Sequence, residues 1–419
     1  MTLLLVDSPG GPQPDEIVRA LGPAGPARVL MLRSGGAARR DKLGALGPVE
    51  TFARPDQAVE AGLALASRVP IRGVVAFSET MAFHAGLLAN LLGLPANPPA
   101  ALTAARRKDI QRARLAAAGM PTPGWRLIGG EQDLGACADL RFPVVLKPAV
   151  GVSSFCVARV TEPAGLAGAY ADAGRRYQAN PWSNGADRLF LVEEEIVGSR
   201  WHADARFGHQ VSVESILHEG TVHHLGVTDK TPVVPPFREE GHLTPSALDP
   251  SDLTRVTTVA EQAIRALGLT TGAVHTELML TADGPVVLEV NGRLAGCMYG
   301  LMQFSREYDI ARAIAQVACG QAPDLPGAPL RFAAFVRPQP PTGRHRVAAV
   351  DQDALDEALK LADWGMLDKP VGSELDSDDG SISNLARYVT TAPDSAALFE
   401  SIERVNKAIR GALTIEPIT

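Results

Sequence analysis

The stretch "AVHTELMLTADGPVVLEVNGRLAGC", residues 273–297, joins two apolar segments through a turn and then continues into polar residues. Apolar β-forming residues flank the Asp283-Gly284 dipeptide, which favours a positive φ angle, so the pattern predicts a β-hairpin. Glu277 and Glu289 lie equally far from Asp283. A three-residue loop centred on Asp283 would therefore place the two carboxylates opposite each other.

The second strand of this hairpin carries polar side chains at every second position. Because alternate residues of a strand point to the same face, we expect Glu289, Asn291 and Arg293 in one row. Two carboxylates facing each other destabilise a sheet unless a cation lies between them. Carboxylate and amide oxygens are ligands of Mg²⁺, which also takes substrate phosphates, so Glu277, Glu289 and Asn291 are candidate metal ligands. A structural ion pair between Glu289 and Arg293 is the alternative.

The composition limits the classes of protein to consider. A chain of 419 residues is too long for one ordinary core, and 46% hydrophobic with 21% charged residues is typical of globular proteins. The net charge of −7 and the lack of a Lys/Arg-rich run disfavour a nucleic-acid partner. The four cysteines form no CxxC pair, and the opening apolar run is too short for a signal peptide or a membrane span. We expect a cytoplasmic enzyme with reduced thiols and no membrane partner.

The chain divides into three units. Residues 1–105 alternate short apolar strands with helical segments, which predicts a small parallel α/β domain. Residues 106–195 contain the strand "FPVVLKP" and the glycine- and serine-bearing loop "AVGVSS", and residues 196–419 contain the hairpin and a closing α/β segment. We expect one helix over "TAARRKDIQRARLAAAG", ending at Gly119. The polar, turn-rich stretch "LDSDDGSISN", near residues 374–384, is expected to be a surface loop.

Basic and acidic residues of the second unit occupy positions suited to phosphate binding. Lys108 opens a predicted helix, and Lys147 ends a strand directly before the glycine/serine loop. Such a loop can bind phosphates through its backbone N–H groups and the hydroxyls of Ser153 and Ser154. Glu193 begins the acidic end of the strand "RLFLVEEEIVG".

In this order, the residues resemble the ATP-grasp superfamily over residues 70–320. The resemblance implies a fold of the α/β and α+β classes in which two lobes enclose ATP. It assigns residues 1–105 to an N-terminal Rossmann-like domain, residues 106–195 to the small lobe, and residues 196–419 to the large lobe with the metal site.

The resemblance also implies a role for each matching residue. Mg²⁺, with Mn²⁺ as an alternative, is expected at Glu277, Glu289 and Asn291. Lys147 and Arg293 are expected to be catalytic, with Arg293 stabilising the transferred phosphoryl group. The residues expected to bind ATP are Lys108, Lys147, Ser153, Ser154, the hinge residues Glu193, Glu194 and Ile196, and Asp204, which would contact the ribose because Arg200 stands where many relatives have a glutamate.

The segment "GVTDKTPVVPPFREEGHLTPSAL", residues 226–248, is similar to L-amino acid ligases and carnosine synthase-like enzymes. This resemblance implies an ATP-dependent carboxylate-amine ligase that forms an amide through an acyl-phosphate and releases ADP and phosphate. Its partners would be a small-molecule carboxylate and an amine, with an amino acid among the substrates and a homodimer as one possible assembly. The residues expected to contact substrate are Glu79, Glu239, His242, Arg293 and Cys297.

Three alternatives remain from the sequence. A carboxylase-type enzyme would phosphorylate bicarbonate on the same fold, and a catalytically silent protein would only bind the nucleotide. An NAD-dependent oxidoreductase would require a dinucleotide-binding fingerprint, which the N-terminal segment lacks.

Overall fold

The structure is a computed structural model that describes residues 2–179 and 188–418. In these two ranges the chain forms four β-sheets with helices packed on their faces. None of the helices in this part of the chain is long and apolar enough to cross a membrane.

The N-terminal region contains a parallel sheet and its helices. The elements of residues 2–117 are β1 (Thr2–Asp7), α1 (Pro14–Leu21), β2 (Ala27–Leu32), α2 (Ala37–Leu43), β3 (Val49–Phe52), α3 (Ala58–Ala66), β4 (Ile71–Val75), α4 (Glu79–Leu91), α5 (Pro99–Arg106) and α6 (Lys108–Ala117). The strands pair in parallel in the order β3-β2-β1-β4. The central strand β1 is buried on both faces, as its continuous apolar sequence requires.

The helix predicted to end at Gly119 is in fact two helices. Arg107 has an extended backbone, with φ −109° and ψ 109°, which ends α5 and starts α6. The prediction of one helix was therefore wrong, but Lys108 does open a helix. Its N–H donates to the carbonyl of Ala149 at 3.0 Å, which holds the start of α6 against the glycine/serine loop.

Helices α5 and α6 pack in the core of the large lobe. The core residues Ala101, Ala104 and Leu115 lie in one apolar cluster with residues of the hairpin 272–291 and of the helix that follows residue 249. The predicted boundary between residues 105 and 106 thus falls inside a packed unit, and the small lobe is inserted after α6.

The small lobe is an antiparallel sheet with one helix. Its elements are β5 (Trp125–Ile128), β6 (Val144–Pro148), β7 (Ala158–Val160), α7 (Leu166–Ala179) and β8 (Phe190–Glu194). The strand order is β5-β8-β6-β7. On α7, Tyr170 and Tyr177 pack edge-on against Phe190, with ring centroids 5.6 and 5.7 Å apart. The glycine/serine loop connects β6 to β7.

The large lobe contains the remaining elements: β9 (Gln210–His218), β10 (Thr221–Lys230), β11 (Gly241–Thr244), α8 (Pro250–Leu267), β12 (Gly272–Thr281), β13 (Gly284–Asn291), α9 (Met298–Arg306), α10 (Ile310–Ala318), β14 (Phe332–Val336), β15 (Arg344–Val350), α11 (Gln352–Leu359), β16 (Trp364–Leu367), β17 (Glu374–Asp376), β18 (Ala386–Ala392), α12 (Ser395–Gly411) and β19 (Leu413–Pro417). Eight strands form one sheet in the order β13-β12-β9-β10-β11-β14-β18-β16, and β17-β15-β19 form a smaller sheet.

Helix α8 covers one face of the eight-stranded sheet. Its buried residues recur every three or four positions, as packing on a core requires: Val256, Ala260, Ala263, Ile264 and Leu267. In β12, Val274 and Leu278 belong to this core. Because side chains alternate across a strand, His275 and Glu277 point to the opposite face. That face is available for a polar site.

The hairpin pairs Glu277 directly with Glu289, as predicted. The predicted three-residue loop was wrong, however, because Thr281 pairs with Gly284 and leaves a two-residue loop. A register shift after Glu277, where Leu278 pairs with Val287, inserts one extra residue and restores the glutamate pair.

Residues 374–384 are not the surface loop that their composition predicted. β17 pairs with β15, and Ser377, Ser381 and Ser383 are buried. Their polar groups are satisfied within the fold; for example, the Ser377 hydroxyl accepts a hydrogen bond from the N–H of Gly343 at 2.9 Å. Buried hydroxyls with such partners do not oppose burial.

Candidate active site

The paired glutamates each face a lysine. Glu289 Oε1 lies 2.8 Å from Lys108 Nζ, and Glu277 Oε2 lies 3.3 Å from Lys230 Nζ. Burial would raise the pKa of Glu277, but Lys230 and a hydrogen bond from His275 outweigh burial and hold this pKa well below its ordinary value. Both lysines therefore supply the positive charge that opposed carboxylates need, and Glu277 is ionised at neutral pH.

His275 joins Glu277 to a second, fully buried carboxylate. Its Nδ1 lies 2.9 Å from Glu214, and its Nε2 lies 3.0 Å from Glu277. Burial would lower the pKa of His275, but Glu214 and Glu277 raise it to about 9. A protonated imidazole donates to both carboxylates, so His275 orients Glu277.

Asn291 and Arg293 complete this face of the hairpin. Asn291 is buried and pairs with His275 across the two strands. Arg293 follows the end of β13, and its Nε lies 2.7 Å from Oε2 of Glu79 at the start of α4. The structure thus brings together Glu79 and Arg293, two of the residues predicted to contact substrate. Arg293 pairs with Glu79 and not with Glu289, its partner in the alternative interpretation.

The chemistry of these donors fits a hard cation. Two glutamate carboxylates and the amide of Asn291 lie on neighbouring positions, and Mg²⁺ binds oxygen ligands. Across the described residues, no group of three His, Cys, Asp or Glu side chains is arranged to hold a metal ion. An ion at the hairpin would therefore depend on further oxygen ligands, such as phosphate oxygens and water.

In the small lobe, Glu193 is buried between two cations. Arg112 Nε donates to Glu193 at 2.9 Å, and Lys147 Nζ donates to the other carboxylate oxygen. Burial would raise the pKa of Glu193, but Arg112 and Lys147 lower it to about 2. Burial lowers the pKa of Lys147 more than Glu193 raises it, and Arg112 makes a bidentate contact with the same carboxylate.

The glycine/serine loop lies beside both predicted phosphate lysines. Lys108 Nζ donates to the carbonyl of Gly151 at 3.0 Å, and Lys147 ends the preceding strand. Ser153, Ser154 and Cys156 have φ angles of 55°, 57° and 58°. This left-handed conformation costs roughly 1–2 kcal/mol for a residue other than glycine, and strain of this kind is concentrated at functional sites.

The predicted hinge residues differ in their backbone contacts. The N–H groups of Glu194 and Glu195 donate to the carbonyls of Gly124 and Pro143. The N–H of Ile196 makes no backbone hydrogen bond to another described residue, and the contact of this segment with adenine stays a prediction. The side chain of Glu194 instead accepts a hydrogen bond from the N–H of Arg141 at 2.9 Å.

Asp204 makes different contacts. Its carboxylate accepts hydrogen bonds from the backbone N–H and from the guanidinium of Arg206, the shortest of 2.6 Å. The Arg206 guanidinium also lies 4.5 Å from the ring centroid of Phe399 on α12. A ribose contact by Asp204 stays a prediction, and it would require this ion pair to open.

A second polar cluster adjoins the hairpin. Lys230 Nζ donates to Glu239, whose other oxygen lies 3.6 Å from Arg337. Arg337 also contacts His242 Nε2 at 3.3 Å. Burial, together with Arg337 and Lys230, lowers the pKa of His242 to about 3, so the imidazole is neutral. Lys230 therefore connects Glu239 to Glu277, a predicted metal ligand.

Cys297 is buried at the start of α9, close enough to this cluster for its charges to act on the thiol. Burial raises the pKa of Cys297 to about 12. A neutral thiol is a poor nucleophile, which supports a role in shaping the site over a covalent role.

Residues 140–300 match the ATP-grasp domain family. The chain contains an ATP-grasp domain. The Lys108 side chain contacts both the hairpin of the large lobe, at Glu289, and the glycine/serine loop of the small lobe, at Gly151.

Relatives of this chain include an alanine–anticapsin ligase and a carnosine synthase. The alanine–anticapsin ligase of Bacillus subtilis is 28% identical over 246 residues, which cover 56% of this chain and 51% of the relative. Carnosine synthase 1 of Gallus gallus is 29% identical over 267 residues, covering 58% of this chain and 27% of the relative. The chain thus spans about half, or less, of the length of these relatives.

Solved structures share the complete fold. An L-amino acid ligase from Bacillus licheniformis superimposes with a TM-score of 0.81 at 20% identity, covering 100% of this chain and 99% of that one. Biotin carboxylases also have this fold. The fold alone therefore does not select the acid that an ATP-grasp enzyme activates.

Several residues of the site were not singled out from the sequence. Lys230, Arg337, His275 and Arg112 contact predicted site residues, and Glu214 is connected to Glu277 through His275. His275 could have been found, since it stands two residues before Glu277 on the same strand. The others come from separate strands and helices, and their proximity depends on the sheet order.

Proposed function

We propose that this protein is an ATP-dependent carboxylate-amine ligase that forms an amide bond through an acyl-phosphate and releases ADP and phosphate. One observation carries the proposal. Polar contacts run in two branches, from Gly151 of the glycine/serine loop through Lys108 to Glu289, and from Glu277 through Lys230 to Glu239. The two branches meet at the hairpin, where Glu277 pairs with Glu289, which supports a site shared by the proposed phosphate-binding lysine and the buried polar cluster around Glu239.

The residues fit the two chemical steps. A carboxylate is a poor electrophile, so it is first converted to an acyl-phosphate by the γ-phosphoryl group of ATP. Lys108 and Lys147 offset phosphate charge, and Arg293, held by Glu79, stabilises the charge that develops during transfer. Magnesium, or manganese in its place, would be held by Glu277, Glu289 and Asn291 and would neutralise phosphate charge. The amine then attacks the acyl carbon, and phosphate leaves.

The comparisons favour an amino acid as one substrate. Relatives named as alanine–anticapsin ligase and carnosine synthase support this choice. Unpaired cysteines fit a reducing compartment, so we include a cytoplasmic location in the proposal. Bicarbonate is the second candidate, because biotin carboxylases share the fold.

The test is a matrix of amino acids and small carboxylates incubated with ATP, with bicarbonate as a separate arm. We expect ADP, phosphate and an amide only when both an acid and an amine are present. Oxygen-18 in the acid substrate should appear in the released phosphate, because the acyl oxygen becomes the bridge to phosphorus. Release of AMP and pyrophosphate, or phosphate without label, would rule out the acyl-phosphate route, and turnover with bicarbonate alone would favour the carboxylase.

A further inference from the structure

The phosphate loop, which we define as residues 149–157, is held by a segment far away in the sequence. The carbonyl of Ser153 accepts a hydrogen bond from the N–H of Ser381 at 2.9 Å. Gly380 has a φ of 71°, and a Cβ atom there would lie 2.7 Å from the carbonyl carbon of Ser154 and closer still to the Ser153 oxygen. Only glycine permits this approach of two backbones.

An ionic contact joins the same segment to the small lobe. Arg176 on α7 lies 3.1 Å from Asp376 and 3.2 Å from Asp378. Asp379 is 3.9 Å away, and burial followed by the charge of Asp376 raises its pKa. Arg176 thus contacts three carboxylates of the segment as well as Asp172 on its own helix, at 3.1 Å, so the position of the segment depends on the position of α7.

The segment also contacts the polar cluster of Lys230, Glu239, His242 and Arg337, which we call the substrate cluster. The buried hydroxyl of Ser381 accepts a hydrogen bond from the N–H of Glu239 at 2.9 Å. Gln339 supports this contact, since its amide donates to the carbonyl of Glu239 at 3.1 Å. Through Glu239 and Lys230, the phosphate loop is connected to Glu277.

We propose that residues 376–381 act as a latch that holds the phosphate loop closed, and that Ser381 is a positioning residue that couples closure to the substrate cluster. The coupling part rests on the proposed function, because closure matters most when an acyl-phosphate must be protected from water. Since coupling between sites is reciprocal, substrate at Glu239 favours the closed loop, and the closed loop favours substrate.

The latch is tested without any enzymatic assay, by hydrogen exchange of peptides that cover residues 149–157. Gly380→Ala should release the loop and speed its exchange by about tenfold or more, as expected when a hydrogen bond is lost and a close contact is blocked. The matched control is Gly372→Ala, because Gly372 also has a positive φ, 86°, but a Cβ atom there meets nothing within 4 Å. Equal exchange in the two variants overturns the latch.

The ionic contact has its own matched pair of variants. Arg176→Gln should speed exchange of the loop, whereas Arg175→Gln should not, because Arg175 is exposed and contacts Asp172 on its own helix. High salt should reproduce the effect in the wild-type protein, since the Debye length falls to about 3 Å at 1 M. Unchanged exchange in Arg176→Gln would show that the ion pairs with Asp376 and Asp378 do not hold the phosphate loop, and would overturn the ionic part of the latch.

Coupling is tested with Ser381→Ala, which keeps the backbone bond to Ser153 but removes the acceptor for Glu239. We expect the ratio of phosphate released to amide formed to rise, because the intermediate is lost to water. A fall of both products at a constant ratio contradicts the positioning role. If the loop responds as described but no acid and amine are joined, the latch stands and the proposed function fails.

Discussion

Glu193 offers a quantitative test of how the small lobe is stabilised. In Glu193→Gln the carboxylate is replaced by a neutral amide, while Arg112, with a side chain 1% exposed, and Lys147 stay buried. Removing one partner of a buried ion pair typically costs about 3–5 kcal/mol, because the charge that remains is left uncompensated. The lowered pKa leads to a similar figure: a shift from 4.5 to about 2 corresponds to about 3 kcal/mol.

The pH dependence follows from the direction of this shift. Because the folded pKa is depressed, the stabilisation is complete above the unfolded value of 4.5 and is lost as the pH falls through about 2. The difference between wild type and Glu193→Gln should therefore be full at pH 7 and should shrink below pH 4.5.

The assay is hydrogen exchange of β8 peptides in increasing urea, at pH 7 and at the lowest pH where both proteins fold reversibly. Glu195→Gln is the matched control, since Glu195 belongs to the same acidic run but pairs with the exposed Arg159. It should have a much smaller effect. A loss below about 1 kcal/mol in Glu193→Gln, where breaking a buried pair should cost several, or a loss that does not change with pH, would refute the reasoning.

Three further predictions concern the chemistry. Lys147→Ala should weaken ATP binding and turnover together in calorimetry and steady-state assays; unchanged values of both would leave Lys147 with only its structural contact to Glu193. Glu289→Gln should abolish metal-dependent turnover with an unaltered circular dichroism spectrum, and normal activity at low Mg²⁺ would contradict the site. Arg293→Met should lower kcat by about 10²- to 10³-fold, roughly 3 to 4 kcal/mol, with little change in ATP affinity measured by calorimetry.

Local patterns in the sequence were sufficient for the hairpin and for the positions of Lys108 at a helix start and Lys147 near a strand end. The pairing of Glu277 with Glu289 follows from their equal spacing about Asp283 and from strand alternation. The predicted loop length was wrong because a bulge, which no local pattern showed, compensates for the shorter turn. A change of one residue in the loop would move one glutamate to the other face of the sheet. The two glutamates stay on the same face because the bulge restores the register.

Other parts of the site depend on contacts between distant segments. Lys230 and Arg337 reach Glu239 because β10, β11 and β14 are neighbours in the sheet, and sheet order is not encoded in a local pattern. The serines of residues 377–383 were predicted to lie in a surface loop because they are polar. Their composition does not show that backbone groups of distant segments bind their hydroxyls and allow them to be buried. The break at Arg107 also lacks a glycine or proline signal.

The position of α5 and α6 has a consequence for how the chain folds during its synthesis. These helices leave the ribosome before the small lobe, yet their apolar partners in α8, β12 and β13 follow roughly 170 residues later, a delay of about 10–35 s at usual translation speeds. During that interval the core that later buries Ala101, Ala104 and Leu115 has not yet been synthesised. The nascent chain would therefore expose an unpaired apolar helix surface that chaperones recognise, and slower translation of residues 188–290 would lengthen that exposure.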